Sequence, residues 1–385
     1  MTTSPKKIGI DCRMYSSSFT GIGRYTYELV KRICEANNQK QNPDIIFLFF
    51  NSPEYEKFNT DKTPNVQKVL VNANHYSFAE QTKFLKILYS HNLDIMHFTH
   101  FNVPLLYRRP YIVTIHDLTL SLFPGKKMTG FHHRLGYSVV IKNAVRHAKA
   151  IIAISNNTAK DLKKILKVPL EKITVIYNGI SPEFKKLKSI EEKMQIQKTL
   201  DKYNIIQPFI LYTGVWRSHK NLSNLVAAFD TLINEKKLDL NLVITGREDP
   251  HYPEIRQSIN RLNLQNRIVT PGLVSETELI HLYNAARLYI FPSLYEGFGL
   301  PPLEAMQSGT PVAASNTSSI PEICGENNAV FFNPHDPKDM AEKIAFLYQN
   351  EELQEELIKN GYIRAKQFDW DSTAQQTYEL INQYV

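Results

Sequence analysis

Cysteine and long apolar runs are both scarce in this sequence of 385 residues. The three cysteines, Cys12, Cys34 and Cys324, are too far apart for a disulfide framework or a metal-binding spacing. No run approaches the ~20 apolar residues of a membrane-spanning helix. The opening segment, residues 1–7, does not resemble a signal peptide. These absences predict a protein of the reducing cytoplasm.

Charge and length narrow the class further. The chain has 45 Lys and Arg against 38 Asp and Glu, a net charge of +7, and 43% of its residues are hydrophobic. That apolar fraction supports packed cores, and the length predicts two domains. The positive charge suits a phosphorylated ligand, an anionic membrane surface or nucleic acid. Nucleic acid is not expected as a partner, because no basic stripe is interleaved with aromatic residues.

The most informative stretch reads as a strand, a turn and a helix. An apolar run over 286–291 is followed by a turn that contains Gly297 and Gly299, and then by Pro301 and Pro302. Glycine lets a ligand approach the backbone closely, and proline suits a first helical turn, where no amide donor is lost. Such a helix N-terminus binds anions such as phosphate. The predicted anion site comprises the backbone amides of Gly297, Phe298, Gly299 and Leu300.

Two carboxylates flank this anion site. Glu296 lies on the turn, and Glu304 lies about one turn into the helix. Because a carboxylate repels phosphate, these two side chains are expected to face sugar hydroxyls, from which carboxylates readily accept hydrogen bonds. A ligand with phosphates in its middle and hydroxyls at both ends is a nucleotide sugar. The alternative is an exposed turn with a solvated glutamate, which the strand–turn–helix context disfavours.

The segment 296–306, E-G-F-G-L-P-P-L-E-A-M, resembles the Glu-x7-Glu motif of the retaining family 4 glycosyltransferases. The resemblance covers nearly the whole chain and is strongest from about 205 to 325. It implies the α/β GT-B fold, with two doubly wound Rossmann-like domains facing across a cleft. It also implies that Glu304 binds the ribose hydroxyls, and that Glu296 and the amides of 297–300 bind the sugar hydroxyls and the distal phosphate.

A second glycine motif lies near the N-terminus. A strand over Lys7–Cys12 and a polar loop precede Gly21-Ile22-Gly23-Arg24-Tyr25, and a helix follows from Thr26. A dinucleotide fingerprint would place its glycines directly after the strand, with a third glycine where Thr26 stands. Gly21 and Gly23 are therefore predicted to form a mobile loop over a substrate, similar to the first loop of family 4 enzymes. The alternative is that they only begin the helix.

Histidines follow two predicted strands of the first half. The strand 111–115 ends in His116-Asp117, and ligands of open α/β sheets bind at the carboxyl ends of strands. The family carries a histidine in this T-I-H-D-L pattern, which implies that His116 orients a hydroxyl and the anomeric centre of the transferred sugar. Asp117 either orients His116 or caps the next turn. His97 and His100 lie on an extended stretch, which favours a loop role over metal binding.

The segment 131–149 has apolar and basic residues at helical spacing and is predicted to be a helix. It forms either a solvated basic face or a contact with an anionic membrane surface, and the sequence leaves both open. Further basic residues precede this helix, namely Arg108, Arg109, Lys126 and Lys127.

The second half opens with a strand over 208–213, followed by G-V-W-R-S-H-K-N. A departing diphosphate needs positive charge nearby, and the family has a lysine here that binds it, which implies this role for Lys220. The family often has arginine directly before that lysine, where this chain has His219. Arg217 is therefore predicted as the second cation, and the role of His219 is left open. Both cations could instead be solvated charges.

The β–α alternation continues to the C-terminus and predicts a second doubly wound sheet. The expected domains are an acceptor-side domain over 1–182 and a nucleotide-sugar domain over 207–369, joined by a linker over 183–206. A last helix over about 370–385 is expected to pack back on the first domain. Domain closure would then complete the site.

The implied activity is retaining transfer of a hexose from a nucleotide sugar to a glycan or lipid-linked acceptor. No cofactor is expected, and no metal, because none of the motifs assigned to the donor suggests a metal-carried diphosphate. The motifs most resemble bacterial enzymes that add mannose from GDP-mannose to lipopolysaccharide or capsule. UDP-glucose or UDP-GlcNAc as donor, or a non-catalytic nucleotide-sugar-binding protein, are the alternatives. The expected location is the cytoplasm, either free or peripheral on the inner face of the membrane.

Overall fold

The computed structural model describes residues 4–15, 21–52, 54–123, 125 and 131–385, with no side-chain description for 131–133. The described residues form two compact units. Of these residues, the first unit comprises those within 4–121, 131–179 and 369–385, and the second those within 122–125 and 180–368. Besides the short segment that starts at Leu122, the chain passes to the second unit after Gly179 and returns to the first after Phe368. The sequence predicted the first of these two boundaries at 182.

The first unit is built on a parallel sheet of seven strands in the order β3-β2-β1-β4-β5-β6-β7. The chain runs outward from β1 to one edge and then returns to the other side of β1. The switch point therefore lies between β1 and β4, and ligands of such sheets bind there, at the carboxyl ends. The strands are β1 Lys7–Asp11, β2 Ile45–Phe50, β3 Val66–Leu70, β4 Ile95–Phe98, β5 Tyr111–Ile115, β6 Ala150–Ala153 and β7 Ile173–Val175.

Helices cover both faces of this sheet, and apolar side chains of strands and helices form two buried clusters. A π-helical turn, Glu80–Phe84, leads into the third helix. The helices are α1 Gly21–Asn38, α2 Glu54–Lys57, α3 Leu85–Ser90, α4 Thr119–Leu122, α5 Phe131–His147 and α6 Asn156–Leu166.

Gly21 and Gly23 lie in the first turn of α1, so the prediction of a mobile glycine loop at these residues is wrong. The helix begins earlier than predicted because its first turns are tied to the sheet. Thr26 Oγ1 is hydrogen-bonded to Thr99 Oγ1 (3.3 Å), directly after β4, and Tyr25 Oη is hydrogen-bonded to Thr114 Oγ1 (3.0 Å) in β5. Residues 16–20 of the predicted polar loop lie outside the described residues.

The second unit is built on a parallel sheet of six strands in the order β10-β9-β8-β11-β12-β13, with its switch point between β8 and β11. The strands are β8 Phe209–Thr213, β9 Asn241–Thr245, β10 Ile268–Gly272, β11 Leu288–Phe291, β12 Val312–Ser315 and β13 Val330–Phe332. The helices are α7 Ile190–Lys202, α8 Leu222–Asn234, α9 Glu254–Arg261, α10 Glu276–Ala285, α11 Leu300–Gln307, α12 Ile320–Cys324, α13 Pro337–Gln349 and α14 Glu351–Ala365.

The segment 183–206, predicted as a linker, belongs to the second unit. Ser189 and Glu192 form a capping box that begins α7, in which each side chain binds the other residue's amide. Leu200 is buried, and Thr199 Oγ1 is hydrogen-bonded to His281 Nδ1 of α10 (2.8 Å). Because these contacts anchor α7 to the second unit, the segment 183–206 is part of that unit and not a linker.

The last helix, α15 Trp370–Gln383, packs within the first unit. Trp370 is 1% exposed, and Tyr378 Oη donates to Asp44 Oδ2 (2.9 Å). The start of the helix lies so close to Gly179 that a Cβ there would be 2.2 Å from Trp370 N. Glycine at 179 therefore permits this close approach. No helix in the part of the chain that the structure describes has the length and apolar character needed to cross a bilayer.

Candidate active site

The turn between β11 and α11 is held by two serine hydroxyls. Ser318 Oγ donates to Glu296 O (2.7 Å) and accepts from Glu296 N (3.1 Å). Ser319 Oγ donates to Phe298 O (2.7 Å). The backbone of the predicted anion site is thus fixed from outside the motif, by residues that immediately precede α12. Sequence reasoning missed these serines because they lie on a different loop, the one after the neighbouring strand β12.

The N-terminus of α11 has the form that the sequence predicted. Gly299 is its N-cap with φ 110°, in the left-handed region that favours glycine, and prolines occupy the first helical turn. No side chain among the described residues caps this helix. Pro301 and Pro302 have no amide hydrogen, so the donors that this helix start can offer an anion such as phosphate are the amides of Gly299 and Leu300, at the positive end of the helix dipole.

Glu304 is buried in α11, and a chain of hydroxyls orients it. Tyr283 Oη donates to Glu304 Oε2 (3.0 Å), and Thr213 Oγ1 lies 3.1 Å from Tyr283 Oη and 3.0 Å from Tyr289 Oη. Burial and then the Glu304 carboxylate raise the pKa of Tyr283 well above its ordinary value, so its hydroxyl keeps its proton and donates. Tyr283 was not predicted, because α10 resembles an ordinary amphipathic helix.

Lys220 and Glu296 form an ion pair across the switch point, with Nζ 2.6 Å from Oε1. Their side chains are 20% and 14% exposed, so both charges are largely shielded from water. Asn221, in the left-handed region at φ 62°, donates to Pro292 O (3.0 Å) and Pro334 O (2.7 Å). Asn221 thereby fixes the turn that carries Lys220. The structure brings together two residues that the sequence assigned to separate parts of the donor.

The other two residues of this turn behave differently. Arg217 is exposed, and no ion pair joins it to a described residue. His219 is buried, and its carbonyl accepts from Leu294 N (2.7 Å). His219 therefore links the loops after β8 and β11, which gives a structural role to the residue that the sequence left open.

In the first unit, His116 lies buried at the carboxyl end of β5. Its Nε2 is 2.8 Å from Thr99 O, and since a carbonyl only accepts, Nε2 carries the proton. Its ring packs edge-on against Tyr25 (4.8 Å between centroids) and stacks with His100 (6.2 Å). Burial lowers the pKa of His116, so the ring is neutral. Nδ1 then has a lone pair that suits it to accept from a hydroxyl.

The open question about Asp117 has a geometric answer. Its Oδ1 accepts from Thr119 N (2.8 Å) at the start of α4, which is the capping alternative.

His97 is fully buried and bonded to Thr114 Oγ1 (2.9 Å) through Nε2. Its surroundings are therefore those of a core histidine.

One Asp-x-Asp pattern does occur in the chain, Asp369-Trp370-Asp371, and it begins α15. Asp369 Oδ2 accepts from Ser372 N (3.0 Å), and Asp371 Oδ1 pairs with Arg32 Nε (2.5 Å). Both carboxylates thus have partners in the first unit. Among the described residues, no group of three or more His, Cys, Asp or Glu side chains could hold a metal ion.

Two family models match the two halves of the chain. The model described as Glycosyltransferase Family 4 matches residues 19–184, and Glycosyl transferases group 1 matches residues 195–364. The chain is 28% identical to O-antigen chain mannosyltransferase B of Escherichia coli, over 95% of this chain and 96% of that protein. It is also 28% identical to O-antigen chain mannosyltransferase RfbU of Salmonella typhimurium, over 81% of this chain and 79% of that protein.

Solved structures give the fold independently. The structure of Anabaena HepE in complex with UDP-glucose has a TM-score of 0.75 and 18% identity, and the alignment covers 98% of this chain and 99% of that one. Each of the two family models matches mainly one of the two parallel-sheet units. The chain belongs to the family 4 glycosyltransferases and has the GT-B fold.

Proposed function

We propose that this glycosyltransferase moves mannose from GDP-mannose to a glycan or lipid-linked acceptor during synthesis of a bacterial surface polysaccharide. The observation that carries the proposal is the fixed donor site of the second unit, in which Tyr283 orients Glu304 and Lys220 is paired with Glu296. Two relatives that match most of the chain are named O-antigen mannosyltransferases, which supports mannose as the sugar.

The donor would bind by replacing existing contacts. Glu304 accepts from the ribose hydroxyls, and the amides at the start of α11 bind the distal phosphate. The diphosphate competes with Glu296 for the Lys220 ammonium, 2.6 Å away in the ion pair, and so releases Glu296 to accept from the sugar hydroxyls. Arg217 is exposed and supplies a second cation to the phosphates.

The reaction would retain the anomeric configuration. The acceptor hydroxyl oxygen attacks C1 on the face that the diphosphate leaves, the C1–O bond breaks with its electron pair on the phosphate, and the hydroxyl proton passes to that phosphate oxygen. No nucleophilic role is assigned to Glu296, because in the proposed donor complex it accepts from the sugar hydroxyls. We assign to His116 a hydrogen bond, accepted at Nδ1, from a hydroxyl of the transferred sugar. Proton NMR of the product reports the configuration, and inversion would contradict this mechanism.

The nucleotide preference tests the proposal directly. GDP and GDP-mannose are expected to raise the melting temperature of the wild type by several degrees, since a ligand at 100 times its Kd stabilises by about 2.7 kcal/mol. Glu304→Ala is expected to bind them roughly 10- to 100-fold more weakly, because hydrogen bonds to a charged group contribute about 1.5–3 kcal/mol. Slow release of free mannose from GDP-mannose in the presence of EDTA would show in addition that the protein is catalytic without a metal.

Glu355→Ala, which removes an exposed glutamate of α14, is the matched control and should bind as the wild type does. If only UDP-glucose or UDP-GlcNAc stabilises the protein, that nucleotide sugar and not GDP-mannose is the donor, and the proposed glycosyltransferase site still holds. If the wild type and Glu304→Ala bind GDP equally well, Glu304 does not contact the ribose.

We also propose that α5 contacts an anionic membrane surface. Its exposed face combines Leu135 and Val139 with Lys142 and Arg146, at spacings of one helical turn, and the helix contains no aspartate or glutamate. An apolar and basic face of this kind suits an anionic bilayer. Lys126 and Lys127, which the sequence grouped with this helix, lie outside the described residues.

The double variant Lys142→Glu/Arg146→Glu should bind vesicles of 4:1 phosphatidylcholine and phosphatidylglycerol at least about 30-fold more weakly. Each basic residue near such a surface contributes about 1 kcal/mol, and the variant loses two of them. Co-sedimentation measures the change. Lys236→Glu/Lys237→Glu, on an exposed stretch of the second unit, alters the net charge equally. If both double variants lose vesicle binding equally, the effect is one of net charge alone, and the assignment of the α5 face to the membrane is wrong.

A further inference from the structure

The loop 71–79, which follows β3, presents two aromatic side chains to solvent. Tyr76 is 62% exposed and Phe78 is 83% exposed. Tyr76 also has φ 61°, in the left-handed region that a bulky side chain seldom adopts. Backbone strain of this kind persists only where the surrounding structure enforces it, and it often accompanies a binding site. The loop is therefore held in one conformation by something outside it.

A buried ionic cluster at the carboxyl end of β1 supplies that constraint. Glu80 Oε2 accepts from Tyr76 N (3.0 Å), and Glu80 Oε1 pairs with Arg13 (2.8 Å). Arg13, whose side chain is fully buried, also pairs with Asp11 (2.8 Å) and donates to Ala73 O (3.4 Å). Burying charges is costly even when they are paired. In this unit the cluster anchors the loop at two points and so fixes the direction of Tyr76.

The Tyr76 ring lies at one end of a row of rings that leads to His116. Its centroid is 6.3 Å from that of Phe101, Phe101 lies 4.1 Å from His100, and His100 stacks with His116 at 6.2 Å. His75 lies 6.5 Å from His100, and its buried Nε2 has no hydrogen-bond partner among the described residues. The exposed ring of Tyr76 and the unsatisfied imidazole nitrogen of His75 are therefore connected, through Phe101 and His100, with the histidine assigned to the transferred sugar.

This combination matches the chemistry of a sugar ring. A hexose has an apolar C–H face, which packs on an aromatic face, and hydroxyls that need donors and acceptors at its edge. A lipid chain would leave the His75 nitrogen unsatisfied. Burial lowers the pKa of His75 to about 4, so the ring is neutral at physiological pH and bonds a hydroxyl rather than an anion.

We infer that Tyr76 and Phe78 form the platform on which the terminal sugar of the acceptor glycan stacks, with His75 bonding one of its hydroxyls. The inference rests on the proposed mannosyl transfer and assigns its acceptor site to the loop 71–79. It makes a carbohydrate end, rather than the lipid portion of an acceptor, the part that this protein recognises.

The test uses the full chain, GDP-mannose as donor and octyl α-mannoside as acceptor probe. Tyr76→Ala and Phe78→Ala should each raise the KM for the octyl mannoside roughly 5- to 10-fold, the loss expected for an aromatic contact. kcat, the KM for GDP-mannose and donor hydrolysis without acceptor should stay within twofold. Tyr76→Phe keeps the ring and should behave as the wild type does. Phe346→Ala, which removes an aromatic side chain 54% exposed in the second unit, is the matched control.

Saturation-transfer NMR of octyl α-mannoside without donor gives a readout that needs no catalysis. Signals from the mannose ring protons are expected with the wild type and should be several-fold weaker with Tyr76→Ala at the same probe concentration. Signals from the octyl chain alone, or ring signals equal in both proteins, would overturn the inference. So would an unchanged acceptor KM in both alanine variants, a result that leaves the proposed donor chemistry standing. Failure of the proposed function itself would appear separately, as absence of donor hydrolysis and of nucleotide binding.

Discussion

Lys220→Ala should lower kcat/KM for the donor by roughly 100- to 1000-fold, a loss of about 2.7–4 kcal/mol in transition-state stabilisation. The reason is that, in the proposed mechanism, negative charge develops on the diphosphate as the sugar leaves, and Lys220 is the shielded cation of the proposed donor site, with its side chain 20% exposed. Steady-state kinetics with GDP-mannose measure the effect. The melting temperature must be recorded as well, because the variant leaves Glu296 without its partner.

Lys202→Ala is the matched control for Lys220→Ala. Lys202 is also paired with a glutamate, Glu278, at 2.5 Å, but its side chain is 58% exposed, so its loss should leave kcat/KM within twofold. Adding Glu296→Gln to Lys220→Ala should cost less than the sum of the single effects, since the two side chains are in contact. A kcat/KM within threefold of the wild type for Lys220→Ala would remove this lysine from the mechanism.

The parts of the proposed donor site that could be predicted from sequence are those set by local backbone chemistry. Glycine at 299 permits a positive φ, whereas the prolines at 301 and 302 fix φ and have no amide donor, so their positions predict a turn and a helix start. Glu304 could be assigned because it stands at a fixed spacing from that start. The buried strands could be predicted for a similar reason, since near-continuous apolar runs are typical of parallel sheets.

Tertiary contacts could not be predicted in the same way. Tyr283 binds Glu304 from a different helix, and Ser318 binds the Glu296 turn from across the sheet. The predicted glycine loop failed for the same reason, since Tyr25 extends α1 toward its N-terminus through a hydrogen bond to Thr114, 89 residues away. Arg13 was assigned to a polar loop, because its sequence neighbours do not show that two buried carboxylates surround it.

Gly246→Ala should lower the free energy of unfolding of the second unit by more than about 4 kcal/mol, beyond the range of ordinary substitutions. Gly246 has φ 116°, and a Cβ there would lie 2.1 Å from Gly214 O and 2.6 Å from Gly214 C. Those atoms are backbone, so no side chain can move aside. The same loops are joined by Gly246 N to Gly272 O (2.8 Å) and Gly214 N to Thr245 O (3.1 Å). The clash therefore separates the loops that follow three neighbouring strands.

Urea unfolding followed by circular dichroism measures this loss, with two glycine controls that separate its causes. Gly272→Ala has φ 78° and nothing within 4 Å of the new Cβ, so it should lose only the ~1–2 kcal/mol of a left-handed alanine. Gly21→Ala, in the first turn of α1 with open space around it, should be neutral or stabilise by up to about 1 kcal/mol. If Gly246→Ala and Gly272→Ala lose equal stability, the close approach of Gly246 to Gly214 does not exist. If Gly246→Ala loses more, donor binding should fall with it, because the loop after β8 that begins at Gly214 continues into the turn that carries Lys220.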